Sequence, residues 1–308
     1  MRHWFRMLLL AVSTSFLAAC GGGDDHPPTT LDVARNDANF SILVEAVQAA
    51  GLADTLAGPG PLTVFAPTNT AFAALLTELG VTKEALLANR TLLTAVLTYH
   101  VLPAKVERAQ VPLGLPVATA QGGIFKVESS GGALSITDGR NRTSRITATD
   151  LAASNGVVHV IDRVLLPADK NIVQTALALP QFSLLAEAVV AADLAGALSG
   201  TGPYTVFAPT DDAFAALLAE LGTTKAALFA NKPLLTSVLT YHVLPSRVLK
   251  AQVPVNTAIT TLQGQTLTVD ASLAITDQRG RKAAITATDV FASNGVIHVI
   301  DKVILPRP

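Results

Sequence analysis

An α+β fold, written twice in tandem, follows from three features of this 308-residue sequence. The first is an internal repeat. Leu62–Pro112 aligns without a gap to Tyr204–Pro254 with 37 identities in 51 positions, and Leu134–Pro167 aligns to Leu273–Pro306 with 23 in 34. The repeating unit is a whole domain, far longer than the roughly 20–50 residues of a solenoid repeat. The second feature is the order of patterns inside each copy: helical periodicity comes first and β-rich runs come later, as in α+β domains with mostly antiparallel pairing. The third is composition: 50% of residues are apolar and 15% charged, enough to bury two cores. The copies occupy 31–167 and 172–306, joined by the short stretch ADKNIVQ at 168–174. The second copy is shorter somewhere between Pro112 and Leu134, where the first reads QGGIFKVESSGG, and length differences of this kind belong in loops and hairpins.

The chain opens differently. Arg2, His3 and Arg6 precede a mostly apolar run from Met7 to Leu17, closed by Leu17-Ala18-Ala19-Cys20. A basic start, a short apolar segment and small residues before a cleavage point predict an export signal over 1–19. The run is too short to span a bilayer, which needs about 20 apolar residues. Cys20 is the only cysteine, so no internal disulfide is available. Its setting resembles the bacterial lipoprotein box, which implies that Cys20 carries lipid at the mature amino terminus. Several acyl chains would anchor it stably, where one alone binds only marginally. The polar stretch GGGDDHPPTT then makes 20–30 a flexible tether. By resemblance to the sorting rule of Gram-negative lipoproteins, Gly21 favours the outer membrane, facing periplasm or surface.

Within each copy, Phe40–Ala50 and Phe182–Ala192 have the spacing and composition of amphipathic helices. LTVFAP and YTVFAP, β-rich and stopped by proline, predict strands. Thr68 and Thr210 are placed to cap the helices that follow, Asp211 and Asp212 suit the positive end of the helix dipole, and Gly80 and Gly222 suit left-handed C-caps. A further helix is expected over about 92–99 and about 234–241, ending in the repeated motif LTYHVLP. Leu262–Asp270 predicts strand, turn at Gly264, strand. Asn155-Gly156 and Asn294-Gly295 sit between β-rich runs, a strong hairpin signal.

Three of these blocks together resemble the fasciclin (FAS1) domain. TVFAPTNTAF at Thr63 and TVFAPTDDAF at Thr205 are similar to its first signature block. SNGVVHVIDRVLLP at Ser154 and SNGVIHVIDKVILP at Ser293 are similar to its second, and LTYHVLP lies between them like that family's Tyr-His motif. The resemblance covers nearly everything after the tether. It implies a wedge of antiparallel β-sheets with packed helices, and a non-enzymatic role in cell adhesion or binding of extracellular partners.

The candidate chemistry is sparse. His100, His159, His242 and His298 recur at matched positions, with Asp150, Asp162, Asp289 and Asp301 as possible co-ligands. A tight metal site usually needs three or four ligands, and His159 lies in an apolar strand where its ring nitrogens more often bond backbone. Tyr99 and Tyr241 end apolar helices, where a buried ring with a bonded hydroxyl is the ordinary outcome. Tyr99, His100, His159, Tyr241, His242 and His298 are therefore read as structural, and no cofactor is expected. No GxSxG, HExxH or phosphate loop is present, and Ser154 and Ser293 are turn formers. A net charge of −1 supplies no field for nucleic acid. DGRNRTSR and DQRGRK are the most basic stretches: Arg140, Arg142, Arg145, Arg279, Arg281 and Lys282 are either solvated hairpin tips or docking loops for an acidic protein or polysaccharide. Asn89 and Asn141 begin Asn-x-Thr triplets, coincidental in a bacterial lipoprotein. The expected partners are thus a membrane, through lipid on Cys20, and an extracellular protein or polysaccharide. The alternative is a small apolar ligand or glycan held between wedge and helices.

Overall fold

The computed structural model describes residues 27–308, so the export signal, Cys20 and most of the tether lie outside the described residues. In the first domain, strand Leu62–Pro67 pairs parallel with Gly156–Ile161 and antiparallel with the two-residue strand Val101–Leu102. From Gly156–Ile161 the sheet continues antiparallel through Thr143–Ala153, Ala133–Thr137 and Ile124–Ser130 to Pro116–Ala118 at its far edge, seven strands among the described residues. The second domain repeats this order, with Tyr204–Pro209 parallel to Gly295–Ile300. The α+β class and mostly antiparallel pairing stand. The wedge is finer than the resemblance implied: in each domain its two faces are one continuous ladder, which contains one parallel pair. Bulges in Thr143–Ala153 and Lys282–Ala292 provide the bend, and each holds an aspartate in left-handed conformation, Asp150 at φ 61° and Asp289 at φ 60°.

Alternation along the parallel strands divides each core in two. Val64, Ala66 and Val158 face the helices and pack with Phe40, Leu43, Val47, Phe72, Leu93 and Leu97. Phe65 and Ile161 face the other way, into a cluster with Tyr99, Phe125, Val127, Ile136 and Leu165. Gly156 permits the close strand pairing: a Cβ there would lie 1.9 Å from the Leu62 carbonyl oxygen. Helix Asn69–Leu79 is capped by Thr68 Oγ1, which accepts from Ala71 N at 3.3 Å, and ends on Gly80 at φ 64°; Thr210 and Gly222 do the same for Asp211–Leu221.

The length difference falls at one hairpin tip. Leu113 bridges Val127 and Val255 bridges Val269, so the copies stay in register to there. The first then extends through Gly131-Gly132, while the second turns at once through Asp270.

The domains meet through polar contacts in which one partner of each pair is particular to its copy. Lys126 Nζ lies 3.0 Å from Asp289 Oδ2 and 2.9 Å from Glu128 Oε1; Lys126 and Asp289 are both buried. Asn141 Nδ2 donates to the Phe291 carbonyl at 3.1 Å, and Phe291 N donates to Asn141 Oδ1 at 2.6 Å. The counterpart of Lys126 is Thr268, so this contact has one polarity only.

Candidate functional site

The Tyr-His pair stands where helix Arg90–Tyr99 ends and strand Val101–Leu102 begins. The two side chains diverge into different clusters. Tyr99 enters the sheet-side core and donates its hydroxyl to the Ile124 carbonyl; Tyr241 donates to Thr266 O at 2.8 Å and accepts from Gln278 N at 3.2 Å. Burial pushes both phenols well above their ordinary pKa, Tyr241 to about 12. His100 instead ties the helix to the irregular segment that follows strand Gly156–Ile161. Its Nδ1–H donates to Val96 O at 2.7 Å, and its Nε2 accepts from Leu165 N at 2.9 Å. His242 repeats this with Val238 O at 2.7 Å and Ile304 N at 3.1 Å. These partners require the neutral ring, since a second N–H would face a donor. Burial holds both imidazoles down at a pKa of about 4.

His159 and His298 use the opposite tautomer. Their Nε2–H donates to Val106 O and Val248 O, each at 2.9 Å, and Nδ1 accepts the amide of Asp150 at 3.2 Å or Asp289 at 3.3 Å. All four imidazoles thus have both nitrogens committed to backbone, leaving no lone pair for a metal. The four aspartates also accept backbone amides: Asp150 from Arg108, Asp162 from Arg145, Asp289 from Lys250 and Asp301 from Ala284. Among the described residues, no three of His, Cys, Asp and Glu converge as a metal site would require.

The basic loops are organised from inside by carboxylates that sequence reasoning missed. Asp138, 1% exposed, accepts from the amides of Arg140, Arg142 and Leu166 and from the Arg142 guanidinium at 2.7 Å. Asp277 does the same for the amides of Arg279, Arg281 and Leu305. The repeated T-D-x-R-x-R pattern was the available signal. Arg142 also pairs with Glu78 at 2.9 Å, Arg281 with Glu220 at 2.8 Å and Arg140 with Asp169 at 2.9 Å, while Arg279 Nε donates to Pro306 O. Arg145 and Lys282 are exposed at the start of the long bulged strand. Asn141 is committed to Phe291, and Asn89 caps a helix by accepting from Leu92 N.

Concavities of two kinds lie within single domains among the described residues. Matched apolar cavities lie between helices and sheet, ≈ 50 Å³ beside His100 and ≈ 30 Å³ beside His242. Both are far below the roughly 300–1,000 Å³ of ligand pockets. A shallow surface groove of ≈ 670 Å³ exists on the second domain, lined by Leu177, Leu179, Pro180, Val190 and Phe229. Leu177 is 61% and Val190 66% exposed. The first copy has Arg35 and Gln48 at those two positions, so the apolar surface belongs to one copy only.

These features define a two-domain α+β protein of bent seven-stranded sheets, each joined to its helices by a buried Tyr-His step. The fasciclin domain family model matches residues 38–167 and 180–306, and the chain belongs to that family. It is 46% identical over 150 residues to "Protein sll1483" of Synechocystis, covering 48% of this chain and 79% of that protein. It is 32% identical over 252 residues to pig "Transforming growth factor-beta-induced protein ig-h3", covering 81% of this chain but only 35% of that one. A solved "FAS1 Domain Pair from the Insect Cell Adhesion Molecule Fasciclin I" aligns with 88% of this chain and 98% of its own, at 19% identity and a TM-score of 0.44. No helix among the described residues is long and apolar enough to cross a membrane.

Proposed function

We propose that this chain is a non-enzymatic attachment protein: exported, held to the outer membrane by lipid on Cys20, and binding an extracellular protein partner through its fasciclin domains. The observation that carries the reading is the exposed apolar groove around Leu177 and Val190. Large exposed apolar side chains gathered in one concave patch mark interaction surfaces. The small-ligand alternative draws no support from the enclosed cavities, whose ≈ 50 and ≈ 30 Å³ are too small for a sugar or a drug-sized molecule. Fasciclin-family membership and its implied adhesive role support the same reading, and the lipid on Cys20 would hold the pair at the cell surface.

The test is attachment of beads carrying the purified chain to surface-protein and matrix preparations. Leu177→Arg with Val190→Gln, which installs the first copy's residues, is expected to abolish attachment without lowering the unfolding temperature. Undiminished attachment by that variant would refute the reading.

A further inference from the structure

A second site lies between the domains and does not depend on the groove. A cleft of ≈ 290 Å³ is enclosed by Gln121 and Ile124 of the first domain, Pro167 at its end, and Arg247, Phe291 and Ser293 of the second. Among the described residues, Arg247 is the single charged one lining it. The repeat supplies an internal comparison. In the first copy the equivalent cation, Lys105, pairs with Glu107 at 2.9 Å on an open surface. In the second copy the position of Glu107 is taken by Leu249, which is fully buried. Arg247 has therefore lost its acidic neighbour while moving into a half-buried setting. Among the described residues its Nε is enclosed without a hydrogen-bond partner, and desolvation pulls the guanidinium pKa down with no described carboxylate to oppose it. A half-buried guanidinium is solvated on its open side only, so a carboxylate entering the cleft would restore interaction that burial removes.

We propose that this cleft binds the carboxylate of a uronic acid, as the free sugar or at the end of an acidic polysaccharide. The Nη end of a guanidinium matches a carboxylate in bidentate geometry. Gln121 and Ser293 are uncharged polar groups suited to sugar hydroxyls, and Ile124, Pro167 and Phe291 offer an apolar wall to a ring face. The volume is at the lower end of ligand pockets, the size of one sugar residue rather than a chain. The cleft is preformed, because the Lys126–Asp289 ion pair and the Asn141–Phe291 hydrogen bonds hold its two walls together.

The test is calorimetric titration of the full chain in detergent with galacturonate, glucuronate, a galacturonate oligomer, glucose and N-acetylglutamate. The uronates are expected to bind and glucose not to. Monomer binding identifies the free sugar as sufficient, and oligomer binding alone identifies the chain end. Arg247→Gln should weaken binding by about tenfold or more, the loss of a charge-assisted bond, while Lys105→Gln leaves it unchanged. Should Arg247→Gln fold poorly, Ser293→Ala and Arg247→Lys carry the test, each expected to weaken uronate binding severalfold. The proposal is overturned if no uronate binds, if glucose binds equally, if these variants bind like the parent, or if N-acetylglutamate binds more tightly than the uronates. The Leu177→Arg, Val190→Gln variant must retain uronate binding, so failure of the attachment reading and failure of this one are separable.

Discussion

His100→Ala tests the view that the Tyr-His step is a joint between helix and sheet. The substitution strands the Leu165 amide and the Val96 carbonyl, both fully paired by the ring at 2.9 and 2.7 Å. A buried group left without its partner costs about 1–3 kcal/mol, and the lost ring volume adds a cavity penalty of similar size. The first domain should therefore lose about 3–5 kcal/mol at pH 7.5. The pH dependence is the more specific readout. The unfolded imidazole titrates near 6.5 and the folded one at about 4. Above pH 6.5 the ring is neutral in both states. Below it the unfolded chain takes the proton first, so stability falls as pH drops toward 4 and levels off beneath that. Linkage over this window gives a loss of about 2 kcal/mol per histidine between pH 7.5 and pH 5. Urea unfolding followed by circular dichroism, at both pH values, measures this. The variant should be less stable at pH 7.5 and should lack the His100 share of the acid loss, leaving those of His242 and His298, whose imidazoles burial also holds down. A variant within 1 kcal/mol of the parent, or one with an unchanged pH slope, would refute the joint.

Further outcomes are expected elsewhere in the chain. Cys20→Ser should abolish incorporation of labelled fatty acid; continued labelling would refute the anchor. Lys126→Glu places like charges against buried Asp289 and should separate the domains, seen as a larger radius of gyration in small-angle scattering; an unchanged profile would show that the ion pair does not set their arrangement. Arg142→Glu removes the cation shared by Asp138 and Glu78 and should destabilise the first domain by about 3 kcal/mol or more, because it leaves a carboxylate buried and unpaired. Normal stability with lost attachment would instead make that arginine a docking residue.

Local chemistry was the most legible part of this fold. Thr68 and Gly80 cap a helix with signals that lie within a dozen residues of each other, and the Asn155-Gly156 turn needs only its neighbours. The second role of Asn155 was not legible, because its side chain also binds Thr30 N at 2.8 Å from 125 positions away. The parallel pair of Leu62–Pro67 with Gly156–Ile161 is hidden for the same reason: no periodicity encodes a partner that arrives after five other strands. The basic stretches were visible as charge, but the carboxylates that neutralise them were not. Glu78 reaches Arg142 from a separate helix, and Asp138 works from beneath its own loop. The groove around Leu177 was written plainly in the contrast between copies at Arg35 and Leu177, a contrast that acquires meaning only once both side chains are known to face solvent.

The most direct test of the account is a reciprocal exchange between the copies. Leu177→Arg with Val190→Gln should remove attachment to the protein partner, and adding Arg35→Leu with Gln48→Val to that variant should restore some of it through the first domain. Attachment that follows the apolar pair from one domain to the other is the predicted result. Attachment indifferent to where that pair sits would contradict it.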